Sequence, residues 1–175
     1  YAGIKSSPSD PPKNDLALME LVQGSECVAV FTQNAFCAAP VTIAKNKLAA
    51  MTAQENSNAI YLLVNSGNAN AGTGNDGHLA AEHSCRSVAQ SIGCDVQRVL
   101  PFSTGVIGQS LPVAKIDAVS DDLISSLSAG HWKLAAEAMM TTDTVAKGFS
   151  RKMEVDGRTI TVSGICKGAG MIRPN

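Results

Sequence analysis

Short continuous apolar runs along the chain predict buried β-strands. Each run is bounded by turn signals, and the runs lie at residues 27–31, 60–64 and 96–102. Nearer the C-terminal end, residues 152–155 and 158–165 flank the pair Asp156-Gly157. An Asp-Gly pair between two strand-like segments is a strong signal for a two-residue hairpin turn. The chain is therefore expected to contain both isolated buried strands and one hairpin.

Between these runs, apolar residues recur every three or four positions, which predicts amphipathic helices. The clearest helix is expected over about 77–92, and Gly93 follows it as a natural stop. Further helices are expected over 116–127 and 133–140. Strands that alternate with helices, without an internal repeat or a linker, predict one α/β domain over residues 1–175.

The composition excludes some classes of partner. Only 17% of residues are charged, the formal net charge is -1 and aromatic residues make up 4%. A chain this close to neutral has no electrostatic basis for binding nucleic acid or an anionic membrane. The low charge instead favours much buried surface, including a subunit interface.

The cysteines indicate a reducing compartment. They are odd in number, scattered and without a C-x-x-C pair, which predicts reduced thiols that act as small buried apolar residues. They are Cys27, Cys37, Cys85, Cys94 and Cys166. No apolar stretch approaches the roughly 20 residues of a membrane span. No signal peptide is visible, although a chain that begins at Tyr1 is compatible with a removed leader.

Three polar, glycine-rich segments are candidates for binding chemistry, because loops at the ends of strands often carry functional residues. They lie at residues 65–74, 103–108 and 141–144. The first contains no phosphate-binding motif, but its Asn and Gly residues tolerate left-handed backbone and could brace a site. In the second, the Thr104 hydroxyl and a backbone N–H made accessible by Gly105 could form an oxyanion hole. Each segment could equally be a simple turn.

Lys167 is a further candidate. It lies in a Cys-Lys-Gly-Ala-Gly run of low charge, and either a surface lysine or a functional cation fits that position. The chain ends soon afterwards, at Asn175, without a polar tail, which suggests a polypeptide that was cut there. The histidines do not form a metal-binding pattern, and neither a zinc motif nor a G-x-S-x-G nucleophile motif is present.

Taken together, the motifs resemble one known family. In chain order they are Asn-Ser-Gly-Asn-Ala-Asn-Ala at 65–71, Ser-Thr-Gly-Val-Ile-Gly at 103–108, Thr-Thr-Asp-Thr at 141–144 and Lys-Gly-Ala-Gly-Met-Ile at 167–172. Segments 31–34 and 37–41 add to the pattern. The set resembles the N-terminal (α) chain of the ornithine acetyltransferase family, also called glutamate N-acetyltransferases. The resemblance covers nearly the whole chain.

The resemblance implies a fold and a maturation step. The implied fold is a layered α-β-β-α sandwich of the self-cleaving N-terminal-nucleophile type, with this chain as its N-terminal half. Family members are made as one precursor that cleaves itself before a threonine in a Pro-Asn-Met-Ala-Thr-like segment, which Pro174-Asn175 would begin. That threonine starts the β chain and is the nucleophile. Its freed α-amino group, with an ordinary pKa of about 7.7–8.0, suits a general base near neutral pH.

The resemblance also implies a reaction and site residues. Family members move an acetyl group from N-acetylornithine to glutamate through an acetyl-threonine, without a cofactor or metal, and some also use acetyl-CoA. Thr104 and Gly105 match the pair that stabilises the oxyanion, whereas Thr141 and Lys167 match substrate-binding positions. An α2β2 heterotetramer is expected, in the cytoplasm of a bacterium or the mitochondrial matrix of a eukaryote.

Two other interpretations stay open at the level of sequence. One is a self-cleaving aminopeptidase or amidohydrolase of similar architecture, whose nucleophile is also a new N-terminus. The other is a non-catalytic domain that binds small molecules through its Asn- and Gly-rich loops. An acetyl-transfer assay run against amide hydrolysis separates the enzymes, and a second chain that starts with threonine excludes the binding domain.

Overall fold

The structure is a computed structural model that describes residues 13–52 and 58–169. Strands and helices alternate along the chain, as predicted. In order, they are β1 (Leu16–Leu21), α1 (Ala39–Thr52), β2 (Ile60–Asn68), α2 (Gly74–Ile92), β3 (Val99–Val106), α3 (Val113–Asp117), α4 (Ser120–Ser125), α5 (Trp132–Ala138), β4 (Lys147–Val155) and β5 (Arg158–Cys166).

The first three strands form one sheet in the order β1-β2-β3. β1 pairs with β2 in antiparallel fashion, whereas β2 and β3 are parallel. A parallel pair requires a crossover connection, and α2 provides it. Because the crossover returns the chain to the same end of the sheet, the carboxyl ends of β2 and β3 lie side by side.

Alternate residues of this sheet contribute to different apolar clusters, as expected when successive side chains point to opposite faces. Tyr61, Leu63 and Val99 pack with Cys85 and Val88 of α2. The intervening strand residues form two clusters with helices on the other face. Ile60 and Leu100 pack with Ala44 and Leu48 of α1, and Ala17 and Val64 pack with Ala138 of α5. The sheet is thus covered on both faces.

A buried lysine anchors the amino end of β3, opposite the end where the predicted site residues lie. Lys47 of α1 is 3% exposed, and its ammonium group donates to the carbonyls of Val96 and Val99. The same ammonium group lies 3.2 Å from a carboxylate oxygen of Glu82 on α2. A lysine this deeply buried is stable because its charge is paired and its donors are used.

Two elements confirm the sequence prediction closely. The helix expected over about 77–92 is α2, and Gly93 ends it in left-handed backbone with its N–H bonded to the Ala89 carbonyl. The Asp156-Gly157 pair forms the β4–β5 turn, with φ values of 50° and 74°. Two successive positive φ values are the requirement of a type I′ hairpin turn.

The strand predicted at 27–31 is wrong. This segment lies outside every strand and helix, and Val28 and Val30 are 93% and 98% exposed. An apolar run predicts that a segment will be buried, but a strand also needs a partner. Among the described residues, no strand pairs with segment 27–31. Two elements, β1 and α1, were not predicted from the sequence.

Other predicted boundaries move for local reasons. The strand expected over 96–102 begins instead at Val99, because residues 96–98 form a 3₁₀ turn capped by the Asp95 carboxylate. The helix expected over 116–127 divides into α3 and α4. The third expected helix is present as the shorter α5.

The five cysteines are not joined by disulfides, and not all of them are buried as predicted. Cys85 is buried, Cys27 and Cys94 are intermediate, and Cys37 and Cys166 are exposed. Burial raises the pKa of the Cys85 thiol to about 11, which makes it a poor nucleophile. None of the described helices is long and apolar enough to cross a membrane.

Candidate active site

The parallel pairing of β2 and β3 brings two of the predicted motifs together. Asn65, Ser66 and Gly67 of β2 lie opposite Ser103, Thr104 and Gly105 of β3. These residues were expected in loops that follow the strands, but they are the last residues of the strands themselves. The two strands therefore continue to Thr104 and Gly105, with an irregular register at Gly67 and Asn68.

Gly105 occupies a position that only glycine fits. Its φ is 139°, and a Cβ atom there would lie 2.3 Å from the carbonyl carbon of Gly67 and 2.5 Å from the nitrogen of Asn68. The two backbones can approach this closely because neither glycine has a side chain. Thr104 is half-buried, whereas Gly105 is exposed. Gly105 must be exposed in this way if its backbone N–H is to contact a ligand.

Asparagine side chains brace this end of the sheet. The Asn65 amide donates to the Asn68 carbonyl at 2.8 Å, and its side-chain oxygen accepts from the Ser103 hydroxyl. The Asn68 amide donates to the carbonyls of Gln109 and Ser110, at 3.2 and 3.0 Å. The bracing role predicted for segment 65–74 is therefore present as a set of hydrogen bonds across both strand ends.

The brace continues into the start of α2. The side-chain oxygen of Asn68 accepts from the N–H of Asn70, whose own amide donates to the Gly77 carbonyl at 2.8 Å. Asn70 is buried and has a φ of 45°, a left-handed backbone that asparagine tolerates better than most residues. The Thr73 hydroxyl donates to the Asn70 side-chain oxygen, so both ends of that amide are used.

A second cluster forms around the buried Asp143. One carboxylate oxygen accepts from the Lys147 ammonium at 2.5 Å and from the Gly168 N–H at 2.8 Å. The other accepts from the Thr141 N–H at 3.4 Å. The Lys147 ammonium, helped by the Gly168 N–H, holds the pKa of the Asp143 carboxyl well below its usual range. This carboxylate is therefore hydrogen-bonded both to Thr141 and to the segment that carries Lys167.

Ser66 connects the two clusters. Its backbone lies opposite Thr104 in the sheet, and its hydroxyl donates to the carbonyl of Ala138 at 2.5 Å. Ala138 is the last residue of α5, three positions before Thr141. The sheet end that presents Thr104 is thus bonded to the helix that leads into the Asp143 cluster.

The predicted site residues accordingly fall into two adjoining groups. Thr104 and Gly105 lie at the end of β3, whereas Thr141 and Lys167 lie beside Asp143. The Lys167 side chain is exposed. The part of the final motif beyond residue 169 lies outside the described residues, and so does Pro174-Asn175.

Sequence reasoning missed Asp143, Lys147 and Ser66 as contributors to this region. Asp143 stood inside a recognised motif, and an acidic residue between threonines was the available signal. Its partners could not be read from the sequence, because Gly168 is 25 residues away. Among the described residues, no group of three or more His, Cys, Asp and Glu side chains could hold a metal ion.

One groove among the described residues lies elsewhere. It has a volume of about 660 Å³ between β1 and the α4–α5 region, and Leu18, Leu127 and Trp132 are among the residues that line it. None of the four predicted site residues contributes to it. An apolar groove alone indicates buried packing as readily as a ligand, so the convergent polar groups are the better guide to the site.

Comparison with known proteins places the chain in a family. The model of the ArgJ family matches residues 1–175. The chain belongs to the ArgJ family. Two relatives of that name, the arginine biosynthesis bifunctional proteins ArgJ of Pseudomonas syringae pv. tomato and Methylococcus capsulatus, are 50% and 52% identical. The matches cover 99% and 93% of this chain but 40% and 38% of the relatives. The chain thus spans about 40% of their length.

Solved structures of ArgJ proteins share the fold. The arginine biosynthesis bifunctional protein ArgJ of Bacillus halodurans has a TM-score of 0.81 at 31% identity, over 99% of this chain and 86% of that one. The ornithine acetyltransferase of Mycobacterium tuberculosis, solved in complex with ornithine, has a TM-score of 0.82 at 31% identity, over 99% and 88%. The family resemblance and the α/β sandwich class are confirmed. The roles of individual ArgJ residues in this chain stay predictions.

Proposed function

We propose that this chain is the α chain of a glutamate N-acetyltransferase of arginine biosynthesis, which transfers acetyl from N²-acetyl-L-ornithine to L-glutamate. The observation that carries the proposal is the Thr104-Gly105 pair, held at a braced strand end in a chain that matches the ArgJ family throughout. Two relatives are named bifunctional, which supports acetyl-CoA as a second acetyl donor.

The nucleophile in this mechanism is the threonine that starts a following β chain. Its hydroxyl attacks the acetyl carbonyl carbon of N-acetylornithine while its own α-amino group takes the hydroxyl proton. The tetrahedral intermediate collapses, the C–N bond breaks, and the proton passes to the leaving amine of ornithine. The amine of glutamate then attacks the acetyl-threonine ester, which gives N-acetylglutamate and restores the threonine hydroxyl.

Thr104 and Gly105 stabilise the negative oxygen of each tetrahedral intermediate. The Thr104 hydroxyl and a backbone N–H at Gly105 are the donors, and the absence of a Cβ at Gly105 leaves room for the substrate carbonyl. Removing a single donor of this kind typically lowers the rate by about 10²–10³. Because the Asn65–Asn68 brace fixes the strand end beforehand, little reorganisation is needed when charge develops.

Lys167 holds the α-carboxylate that both substrates carry. Its side chain is exposed at the end of β5, whereas the charge of nearby Lys147 is already engaged by Asp143. A cation that no acidic side chain pairs with among the described residues suits a substrate carboxylate. Thr141, whose backbone is bound by Asp143, contributes the neighbouring polar contact.

The β chain arises from the same precursor by cleavage before its threonine, and two α and two β chains assemble. The length of the relatives supports a second chain, and so does the β4–β5 hairpin, on which Phe149 is 75% and Val162 55% exposed. Exposed apolar side chains at this density mark an interface. The enzyme acts in the cytoplasm, or in the mitochondrial matrix of a eukaryote, and has neither nucleic acid nor membrane as a partner.

An acetyl-trapping experiment tests the proposal. The full-length precursor is expressed, and intact-mass spectrometry with N-terminal sequencing should find two chains, the second beginning with threonine. N-acetylornithine without glutamate should add one acetyl group to that threonine, and glutamate should remove it as N-acetylglutamate. Release of free acetate from N-acetylornithine, with no transfer to glutamate, would indicate an amidohydrolase instead.

A further inference from the structure

Asp143 is a charged residue whose side chain is covered by neighbouring residues. Its side chain is 0% exposed, yet the catalytic scheme above gives it no role. An unpaired carboxylate in such a position would be unfavourable, because its oxygens would have lost hydrogen bonds to water. Here three donors replace that water, and they come from three separate stretches of chain.

Two of the donors lie close to Asp143 in sequence, and the third comes from 25 residues further along the chain. The Thr141 N–H belongs to the turn after α5, Lys147 begins β4, and Gly168 follows the end of β5. Bonds to an ionised acceptor are about twice as strong as neutral ones. Asp143 therefore joins these three stretches more firmly than a neutral side chain of the same size would.

The contact with Gly168 matters because the hairpin ladder ends just before it. Lys147 pairs with Cys166 in the last register position of β4 and β5. Lys167 is the first residue beyond that ladder, and the N–H of its neighbour Gly168 is bonded to Asp143. The backbone that carries the Lys167 side chain is thus held on one side by the ladder and on the other by Asp143.

We propose that Asp143 is a positioning residue that sets Thr141 and Lys167 relative to each other, with Lys147 as its counter-charge. The inference rests on the proposed function, because it concerns how the two substrate-binding positions are arranged. Asp143 touches no reacting atom. It acts by holding the Thr141 backbone and the Lys167–Gly168 backbone at one fixed distance, so that both side chains meet the same α-carboxylate.

A substitution of Asp143 should consequently weaken binding more than chemistry. In the full-length cleaved enzyme, Asp143→Asn should raise KM for both N-acetylornithine and glutamate by roughly tenfold, with a much smaller change in kcat. Asp117→Asn is the matched control, because Asp117 is a partly exposed carboxylate that pairs with exposed His83 across α2 and α3. It should leave both KM values unchanged.

A double variant separates positioning from stability. Asp143→Leu with Lys147→Met replaces the ion pair by apolar side chains, an exchange that often preserves or raises stability. The thermal midpoint should return toward that of the wild type, but both KM values should stay raised, because Leu cannot accept from the N–H groups of Thr141 and Gly168. Normal KM values in this variant, with a restored midpoint, would overturn the inference.

The two proposals fail in distinguishable ways. Wild-type enzyme that transfers no acetyl group to glutamate would overturn the proposed function and this inference with it. Wild-type transfer with unchanged KM values in Asp143→Asn would overturn the positioning role alone. A uniform fall in kcat at unchanged KM would also contradict it, since positioning of a substrate carboxylate predicts the opposite split.

Discussion

The hydroxyl of Ser66 lies 2.5 Å from the carbonyl oxygen of Ala138, and this bond ties the carboxyl end of the parallel strands β2 and β3 to the end of α5. Ser66 is fully buried, so no water can replace the hydroxyl. Ser66→Ala should therefore leave the Ala138 carbonyl unsatisfied and lower the free energy of unfolding by about 1–3 kcal/mol. Denaturant unfolding of the cleaved enzyme measures this. Ser110→Ala, at an exposed serine, is the control and should change little.

Thr104→Ala tests the oxyanion site. Loss of one donor should lower kcat/KM for acetyl transfer by about 10²-fold. If the same site stabilises the intermediate of self-cleavage, the uncut precursor should also accumulate on a gel. Thr42→Ala, at an exposed position of α1, should leave both reactions intact. Normal turnover in Thr104→Ala would remove this residue from the mechanism.

Gly105→Val should be more damaging than Thr104→Ala. Any side chain at residue 105 meets the backbone of Gly67 and Asn68, so the strand ends must separate and the substrate carbonyl loses its space. We expect no measurable transfer and a lower thermal midpoint. Gly130→Ala is the matched control, because an added Cβ there comes no closer than 3.8 Å to its nearest contact. A fully active Gly105→Val enzyme would contradict the tight approach of the two strands.

Lys167→Met should raise KM for both donor and acceptor, because in the proposed function each presents an α-carboxylate to the same site. A charge-assisted contact contributes about 1.5–3 kcal/mol, which corresponds to a roughly 10- to 150-fold loss in kcat/KM. Self-cleavage needs no external carboxylate and should proceed. Lys133→Met, at a lysine 83% exposed on α5, is the control. An uncut Lys167→Met precursor would instead assign Lys167 to activation of the threonine.

The low pKa of Asp143 predicts how stability depends on pH. Its carboxyl has an ordinary pKa of about 3.9 in the unfolded chain and a lower one in the folded protein. The charged form is therefore favoured by folding, and its contribution is fully present above about pH 5. That contribution declines as the pH falls through the unfolded-state pKa and then the folded-state pKa. The stability difference between wild type and Asp143→Asn should accordingly be constant near neutrality and shrink below about pH 4 in acid-unfolding measurements.

Residues 1–175 expressed alone should not form a stable monomer. Both strands of the β4–β5 hairpin are largely exposed, including Phe149, Ile160 and Val162. Isolated two-stranded hairpins are marginal in water, and exposed apolar strands invite association. Insoluble or molten material is the expected product, as judged by size-exclusion chromatography and thermal unfolding. A sharp cooperative transition of a monomer would count against a missing partner chain.

The sequence predicts best those elements whose signals are local. The Asp156-Gly157 turn needs two positive φ values, and Gly93 ends α2 because glycine adopts left-handed backbone easily. The segment at 27–31 fails because its apolar character predicts burial but cannot supply a partner strand. A strand needs a second segment to pair with, whereas the hydrogen bonds of a helix or a tight turn form within one segment.

The same distinction applies to the site. The motifs with Thr104 and Lys167 could be recognised because each is contiguous in sequence. The hydrogen bonds around Asp143 could not be recognised in this way. One donor lies before Asp143, one lies after it and one lies 25 residues further on, and they meet because β5 returns along β4. The extension of β2 and β3 through Gly67 and Gly105 was equally hidden, since glycine-rich segments usually indicate turns.

The bond between Asn65 and Ser103 joins residues 38 positions apart, so it can form only after the intervening chain has folded back. Such a contact carries the entropy cost of closing that loop, so it depends on the whole β2–α2–β3 crossover having formed. In the proposed precursor, Thr104 and Gly105 would then reach their working positions only once that crossover has formed. A misfolded chain would lack the means to cut itself, and the severed peptide bond would serve as a permanent mark that folding was completed correctly.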